Sequence, residues 1–218
     1  MITAEYIDHL GSDLTVVNSA RVSFNKESQL DELGATSPQD TKLITYLAKH
    51  KHFTPFTHPQ ITLRETVPIF VARQRFKHVV GFTYNEVSRR YVDDTPQFHI
   101  PTEWRSRPEG SVKQGSGDTH PLSAEMSNSY SEFLGMVEKF YSESIELGIA
   151  PEQARMVLPQ SMLTSYYVTG SLAAFARLYM QRTDPHAQKE IHDLAYQIGK
   201  IISPLFPVSW SALTQGNY

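Results

Sequence analysis

The sequence predicts an α+β protein in which a twisted sheet of antiparallel type packs against helices, accompanied by a helical lobe. Residues 2–8 and 60–67 alternate between apolar and polar side chains, as half-buried strands do. Apolar residues in 121–147 and 171–202 recur every three to four positions, which is typical of helices with one buried face. The 218 residues are 40% hydrophobic and 20% charged, so we expect a single domain over 1–218.

The first fifty residues predict one strand and two helices. Asp13 is placed to cap a short helix after the strand. Residues 25–40 are polar and lack a period, so we interpret them as a loop. The loop ends at Ser37-Pro38, an N-cap residue followed by proline in the first turn, and the second helix runs from there to His50.

The strand at 60–67 leads directly into a predicted helix. Pro68 suits the first turn of this helix, whose apolar residues keep helical spacing as far as Val80. Gly81 then breaks the pattern. Residues 82–91 mix aromatic, Thr and Val residues with polar ones, so we interpret them as an irregular loop that enters extended chain.

The remaining chain is predicted to be mainly helical. Its expected elements are a short strand at 96–101, a surface excursion at 103–117, a long helix at 121–147, a short helix at 151–158 and a strand at 161–169. These are followed by a helix that Ser171 caps and Arg182 ends, a helix that begins at Asp184-Pro185, and a tail at 204–218 without a clear pattern. A structureless excursion of this length is usually functional or mobile.

The segment Arg73–Tyr91 concentrates positive charge. It contains five cations against the single carboxylate Glu86, a local charge of +4 in a chain whose formal net charge is −3. Arginine forks match phosphate oxygens, so a phosphorylated ligand would account for this composition. A solvated basic face is the alternative that charge alone leaves open. A nucleic-acid groove fits less well, because the pI of about 6.3 lacks the strongly basic footprint of such proteins.

Two arginines outside this segment are candidate binding residues. Arg155 lies inside a short apolar turn, where an unpaired charge would be costly, so we expect a partner or ligand. The alternative is an exposed side chain that keeps its charge in water. Arg182 ends a helix, a position that cations favour for the helix dipole alone.

Three histidines, His50, His52 and His58, fall within nine residues. Imidazole is a common metal ligand, but this loop holds two prolines and no HExxH-like helix, so we predict no metal site. Contact of a histidine with a ligand or a neighbouring subunit is favoured over metal binding. For His50 a merely structural role is favoured.

Composition also excludes several classes of site and protein. The chain has no cysteine, which excludes disulfides, thiolate metal sites and cysteine nucleophiles. No apolar run approaches the ~20 residues of a membrane helix, and the N-terminal residues lack a signal-peptide pattern. We therefore expect a cytoplasmic protein with neither a membrane nor a nucleic-acid partner.

Five segments together resemble the flavin-dependent thymidylate synthases. They occur in the order and approximate spacing of that family over roughly residues 14–202, and five motifs in register are far more specific than one. The segments are TPFTH at 54–58, PIFVARQ at 68–74, NEVSRRY at 85–91, ARMVLP at 154–159 and QRTDPHAQKEI at 181–191.

The resemblance implies an enzyme that methylates dUMP to dTMP. Its carbon donor would be 5,10-methylenetetrahydrofolate, which leaves as tetrahydrofolate, and its hydride donor would be FAD that NADPH reduces. It also implies a homotetramer whose active sites gather residues from several subunits. The lack of cysteine fits, because these enzymes, unlike the other class of thymidylate synthase, attach no cysteine to the pyrimidine.

The resemblance also implies roles for individual residues. Arg182 would be the catalytic residue at the uracil edge, where a fixed cation favours the ionised pyrimidine. His52 would lie near the folate, and Arg90 with main-chain N–H groups would take the phosphate. Ser88 would bind rather than act as a nucleophile, since no general base is dedicated to it. The implied dUMP contacts are Gln74, Arg75, Lys77, Glu86, Val87, Ser88, Arg89, Arg90, Arg155 and Arg182, and the implied FAD contacts are Thr54, Lys77, His78, Val79, Glu86 and Arg177.

The chain departs from the family pattern around the flavin. The tripeptide Lys-His-Val at 77–79 stands where the family has Arg-His-Arg, so two guanidinium forks are replaced by a point charge and an apolar group. Arg177 and Ala173 stand where an Asn and an Arg would touch the flavin. FAD pyrophosphate contacts must be partly remade, with Arg75 as the candidate, and we predict weaker FAD retention than in an Arg-His-Arg relative.

Two other functions remain open at this point. A non-catalytic protein that binds nucleotides or single-stranded nucleic acid would keep the basic segment without turnover. A flavin enzyme of the same fold could instead act on a different pyrimidine. Purified protein coloured by FAD would argue against the first, and competition of dUMP with related nucleotides would test the second.

Overall fold

The computed structural model describes residues 1–32, 34–110 and 115–215, and a four-stranded antiparallel sheet lies at its centre. The strands are β1 (Thr3–Leu10), β2 (Gln60–Pro68), β3 (Phe82–Glu86) and β4 (Leu163–Ser171), in the order β1-β2-β4-β3. Strands β2 and β4 pair over their full length in antiparallel register. The sheet thus brings segments that are far apart in sequence side by side.

Eight α-helices form in the described part of the chain. They are α1 (Asp13–Arg21), α2 (Pro38–Lys49), α3 (Ile69–Arg75), α4 (Ser123–Glu146), α5 (Pro151–Ala154), α6 (Leu172–Arg182), α7 (Lys189–Ile202) and α8 (Pro207–Thr214). Helices α6 and α7 pack on each other and contact β4 and β1, respectively. Within the described ranges, no helix is long and apolar enough to cross a membrane.

Most predicted elements form where the sequence places them. Strand β2 and helix α2 have almost the predicted bounds, and the Ser37 hydroxyl caps α2 by accepting a hydrogen bond from the Asp40 N–H at 3.1 Å. Ser171 caps α6 in the same way, through the Ala174 N–H at 3.2 Å. The predicted α+β fold with an antiparallel sheet is confirmed.

The segment after β2 differs from its prediction. Helix α3 ends at Arg75 rather than near Val80, and Gly81 takes a positive φ of 80° in the turn that follows. Residues 82–86 form strand β3 instead of an irregular loop, because β4 supplies their hydrogen-bond partners. A strand that depends on a distant partner leaves only a weak local signal.

Two further predicted elements are wrong. Helix α7 begins at Lys189 rather than at Asp184-Pro185, because the Asp184 carboxylate accepts a hydrogen bond from the His186 N–H at 2.8 Å and closes a turn. Residues 96–101 make one isolated bridge rather than a strand. An Asp side chain can close a turn as readily as it caps a helix, so residue type alone does not separate the two.

Asp13 serves a helix other than the one predicted. Helix α1 is capped by Ser12, while the Asp13 carboxylate accepts hydrogen bonds from the N–H groups of Val208 and Ser209, both at 2.9 Å. These N–H groups belong to the first turn of α8 and have no partner within that helix. The part of the tail at Pro207–Thr214 forms helix α8, with Trp210 buried against the core.

An ion pair lies in the core between the sheet and α3. Glu65 and Arg75 are each 0% exposed and share two hydrogen bonds of 3.0 Å, from Nε to Oε2 and from Nη2 to Oε1. The Tyr166 hydroxyl donates to Glu65 Oε2 at 2.6 Å, and the Tyr84 hydroxyl accepts from Arg75 Nη1 at 2.6 Å. The guanidinium also lies 4.4 Å from the centroid of the Phe82 ring. Both charged groups are thus shielded from water, and each is paired and hydrogen-bonded within the protein.

We predict that Arg75→Met lowers the free energy of unfolding by about 3–5 kcal/mol, because it leaves the Glu65 carboxylate buried without its partner. The double variant Glu65→Leu/Arg75→Met removes both charges and loses much less. Urea unfolding at equal protein concentration measures both changes. A double variant no more stable than Arg75→Met would show that the unpaired Glu65 carboxylate is not what destabilises the single variant.

Candidate functional site

A cleft of about 970 Å³ opens where β3 ends and β4 begins. Its lining brings the loop after β3 together with the turn after α5 and with the outer face of the sheet. The lining includes six of the residues predicted to hold the nucleotide, Glu86, Val87, Ser88, Arg89, Arg90 and Arg155, together with Arg64, Thr66, Glu152, Thr164 and Ser165. The structure therefore gathers most of the predicted nucleotide contacts in one place.

Hydrogen bonds fix the loop at the edge of this cleft. Thr164 Oγ1 donates to Glu86 Oε1 at 2.7 Å, and the Val87 N–H donates to the Ser165 carbonyl at 2.9 Å. Residues 88–91 then turn, with the carbonyl of the first accepting from the N–H of the last at 3.0 Å. Because the loop is tied to β4 up to Val87, the residues of the turn are held at the cleft by the sheet.

The cleft is rich in arginine. Arg89 forms an ion pair with Asp94, at 2.6 Å between Nη1 and Oδ1. Arg64, Arg90 and Arg155 line the cleft and form no ion pair with any acid among the described residues. Guanidinium groups without a protein counter-ion suit an anionic ligand such as a phosphate.

Arg64 is not among the predicted binding residues. It lies on the outer, polar face of β2, opposite Tyr167 of β4. The alternation of residues 60–67 places Arg64 on that face. Nothing in the alternation indicates that the cleft extends onto this face, because the cleft depends on the pairing of β3 with β4.

Gln74 and Arg182 line a second cavity, of about 660 Å³, together with residues of the turn between α6 and α7. Neither residue lines the first cleft. In a single chain, the residues predicted to hold the nucleotide are therefore divided between two cavities.

His78 and the end of α3 orient the guanidinium of Arg182. Arg182 Nε donates to His78 Nε2 at 2.9 Å, and Nη2 donates to the Gln74 carbonyl at 3.3 Å. Arg182 Nη1 makes no hydrogen bond within the described ranges, so this side of the group is available to a ligand. Burial, with the neighbouring cations Arg182, Arg75 and Arg177, lowers the pKa of His78 to about 4. The ring is thus neutral near pH 7 and can accept the hydrogen bond.

The residues predicted to bind FAD lie mainly on the turn after α3 and on α6. Lys77 and Val79 are exposed, whereas His78 is buried. Arg177 donates from Nη2 to the Val80 carbonyl at 2.6 Å, which joins α6 to this turn. Exposed valines beside two cations suit a ligand with a flat apolar part and an anionic part.

Thr54 and the three histidines of the histidine-rich loop are also at the surface. Thr54 is exposed on a short 3₁₀ turn that contacts α6, and His52 lies with its ring edge-on to Tyr46 at 6.1 Å. The rings of His50 and His52 are 6.4 Å apart. No group of three His, Asp or Glu side chains among the described residues is arranged to hold a metal ion.

Arg75 is not a ligand contact, and the prediction that it binds dUMP or the FAD pyrophosphate is wrong. Its side chain is 0% exposed, and its guanidinium is used by Glu65 and Tyr84. Local charge and helical position do not reveal that Glu65 faces it across the core. Only the packing of α3 on the sheet does.

A chain of hydrogen bonds links Gln74 to the excursion that precedes α4. Gln74 Nε2 donates to Gln188 Oε1 at 2.6 Å, and Gln188 Nε2 donates to Glu190 Oε2 at 2.8 Å. Arg105 Nη2 donates to Glu190 Oε1 at 2.6 Å. The excursion is thereby anchored at the start of α7, although residues 111–114 within it lie outside the described residues.

The sequence matches a known family over most of its length. The family is described as "Thymidylate synthase complementing protein" (Thy1), and the match covers residues 5–208. The flavin-dependent thymidylate synthases of Thermosipho melanesiensis and Thermotoga neapolitana are 36% and 35% identical to this chain. These alignments cover 97% and 98% of this chain and 90% and 91% of the respective relatives.

Two solved structures of PolB, a UMP/dUMP methylase from Streptomyces cacaoi, have a similar fold. The complex with 5-Br dUMP gives a TM-score of 0.84, and the complex with 5-Br UMP gives 0.85. Both are 29% identical in sequence and cover 99% of this chain, with 95% and 94% of the PolB chains covered. The similarity thus extends over the segments that line both cavities.

We predict that His78 makes the fold sensitive to acid. An ordinary histidine takes up a proton near pH 6.5, whereas His78 stays neutral down to about pH 4. Between these values the unfolded chain binds more protons than the folded one, so the free energy of unfolding falls as the pH drops. The contribution lost between pH 7 and pH 5 is about 2 kcal/mol.

Urea unfolding of the wild type and of His78→Gln at both pH values measures this loss. Glutamine keeps a hydrogen-bond acceptor for Arg182 but does not titrate. The wild type should lose more stability than the variant between pH 7 and pH 5. Equal losses in the two proteins would rule out His78 as the source.

Proposed function

Because the chain belongs to the flavin-dependent thymidylate synthase family, we propose that it methylates dUMP to dTMP. The carbon comes from 5,10-methylenetetrahydrofolate, which leaves as tetrahydrofolate, and the hydride comes from FAD that NADPH reduces. The observation that carries the proposal is the arginine-rich cleft, which gathers six of the predicted dUMP contacts around the end of β3.

The cleft binds the nucleotide through its phosphate. Arg90 and the main-chain N–H groups of residues 88 and 89 take the phosphate oxygens, and Arg155 and Arg64 add positive charge to the same cleft. Glu86, held by Thr164, closes the sheet side of the site. Val87, Ser88 and Arg89 complete the binding loop.

Gln74 and Arg182 act on dUMP held by another subunit. In one chain they line a different cavity from the phosphate cleft, so a complete site requires the second cavity of one subunit to face the first cleft of its neighbour. A homotetramer with shared active sites meets this requirement. Exposed apolar side chains on α4 support an assembled state, since Met136 is 66% and Phe140 57% exposed in the single chain.

Arg182 is the catalytic residue of this scheme. His78 and the Gln74 carbonyl fix its guanidinium, and Nη1 is directed to the ligand. A fixed cation at a uracil carbonyl stabilises negative charge on the pyrimidine, which makes its ring carbon more nucleophilic toward the folate carbon. Because the cation is held before the substrate binds, little reorganisation is needed during the reaction.

The turn after α3 fits FAD. Lys77 and Arg177 supply positive charge for the pyrophosphate, and the exposed side chain of Val79 supplies an apolar contact for the ring. Thr54 and Glu86 complete the flavin contacts, and His52 lies on the folate side. When bound, reduced FAD supplies the hydride that completes the methyl group. The weaker FAD retention expected from the Lys-His-Val tripeptide stays a prediction.

We further propose that residues 1–218 work as one domain, because the family match and the fold similarity run through nearly the whole chain. The cytoplasmic location stays a prediction from the sequence.

The proposed reaction is tested by anaerobic reoxidation of dithionite-reduced, FAD-loaded protein. Adding dUMP with methylenetetrahydrofolate should restore the flavin absorbance and yield dTMP, and either substrate alone should not. Arg182→Ala should slow dTMP formation by about 100-fold or more, the effect of removing one preorganised electrostatic group.

Lys42→Ala provides the control, because Lys42 is an exposed residue of α2 and forms no ion pair within the described ranges. This variant should match the wild type. Flavin that stays reduced with both substrates present would refute the synthase proposal. Protein that binds dUMP but no FAD would favour the non-catalytic nucleotide-binding alternative.

A second candidate function follows from the PolB structures, whose protein is a UMP/dUMP methylase. The present chain could therefore accept a ribose as well as a deoxyribose. We expect dUMP to be preferred over UMP in kcat/KM by on the order of 100-fold, the discrimination that a close-fitting pocket achieves against an added hydroxyl. Initial rates with each nucleotide at saturating folate decide the question. Equal values would identify a UMP/dUMP methylase instead.

A further inference from the structure

A continuous path of hydrogen bonds runs from the core of the protein to the guanidinium of Arg182. It begins at the buried Glu65–Arg75 pair and passes through the Tyr84 hydroxyl to the main chain of His78, whose ring bonds to Arg182. Each residue after Glu65 lies on a different structural segment from the next, so the path crosses α3, β3, the turn after α3 and α6.

Tyr84 is the link between the core and the turn. Its hydroxyl accepts from Arg75 Nη1 at 2.6 Å and donates to the His78 carbonyl at 2.7 Å. Burial raises the pKa of Tyr84 to about 12, so the hydroxyl remains a donor at any physiological pH. Its ring packs against Phe76 with a centroid distance of 5.0 Å, which holds the hydroxyl in place.

His78 carries the constraint to Arg182. Its carbonyl is held by Tyr84, its N–H donates to the Arg75 carbonyl at 3.1 Å, and its Nε2 accepts from Arg182 Nε at 2.9 Å. Three cations oppose protonation of the ring, Arg182 and Arg177 from α6 and Arg75 from α3. Because hydrogen bonds fix the main chain of His78 on both sides, its neutral ring holds the Nε side of the Arg182 guanidinium in one orientation.

We propose that Arg75 and Tyr84 are positioning residues, which act through His78 to fix the orientation of Arg182 toward its ligand. The proposal rests on the proposed function only for the identity of that ligand, the pyrimidine of dUMP. The proposal also assigns a role to the buried Glu65–Arg75 pair. Buried charge pairs generally stabilise a fold no better than apolar residues of similar size do, so their value here is the geometry that they impose.

Tyr84→Phe tests the proposal with the least disturbance, because it keeps the ring and removes only the hydroxyl. The first measurement is the dissociation constant of dUMP, by calorimetry on FAD-loaded protein without folate, so that no turnover is involved. Tyr84→Phe should weaken dUMP binding about fivefold, the effect of one lost hydrogen bond. In an Arg182→Ala background the same change should be less than about twofold, because Tyr84 acts only through Arg182.

Tyr130→Phe is the matched control. It also removes one tyrosine hydroxyl, one that bonds to Ser161 and has no contact with the path. This variant should bind dUMP like the wild type. An equal loss from Tyr84→Phe in both backgrounds, or no loss in folded Tyr84→Phe protein, would overturn the proposal.

The second measurement is independent of any ligand. Titration of the His78 ring by NMR, with histidine labelled at Cε1 and the signal assigned by His78→Gln, gives its pKa in wild type and in Tyr84→Phe. A loosened turn should move the His78 pKa upward toward 6.5, because the ring gains water and moves from the cations. An unchanged value would overturn the proposal. If wild-type protein binds no dUMP, the proposed function fails, and this titration still decides whether Tyr84 positions His78.

Discussion

A charge pair sealed inside an apolar core constrains the part of the molecule that surrounds the candidate site. Glu65 on β2 and Arg75 at the end of α3 have no access to water, so their remaining hydrogen-bonding groups must be met by protein. Tyr84 and Tyr166 meet them from β3 and β4. The pair thereby joins these four segments, and the turn that follows α3 starts from a helix end that is held in the core.

The two faces of the sheet differ in polarity and in what they contact. The inner face carries the apolar residues that pack against the helices, together with the buried carboxylate of Glu65. The outer face carries polar side chains, among them the bonded pairs Thr62 with Thr169 and Thr66 with Ser165. Because the cleft opens at the edge of this polar face, a charged ligand can bind against the sheet without disturbing the core.

Local signals in the sequence are enough for the elements that local interactions form. The caps at Ser37 and Ser171 and the long helix α4 follow from residue type and spacing alone. Strand β3 does not, because its pairing with a distant strand decides its conformation.

The candidate site shows the same division. Family motifs identify the loop at 86–90 and Arg155, and the structure gathers both in one cleft. Arg75 follows the motif at 68–74, and its predicted role is wrong because it is buried against Glu65, ten positions earlier in the chain. The family motifs omit Arg64 and Tyr84, because cleft shape and hydrogen-bond paths are properties of packing between strands. Composition and periodicity alone contain no such information.

The cap that Asp13 provides to α8 has a consequence for how the protein is made. Segments far apart in sequence complete each other here, since Asp13 bonds to the N–H groups at 208 and 209, and Gln197 bonds to the Ile2 carbonyl and the Ala4 N–H at the start of β1. During synthesis the N-terminal segment leaves the ribosome long before these partners exist. Asp13 and the start of β1 therefore lack these partners until residues 197–209 have been synthesised, so this part of the fold closes late.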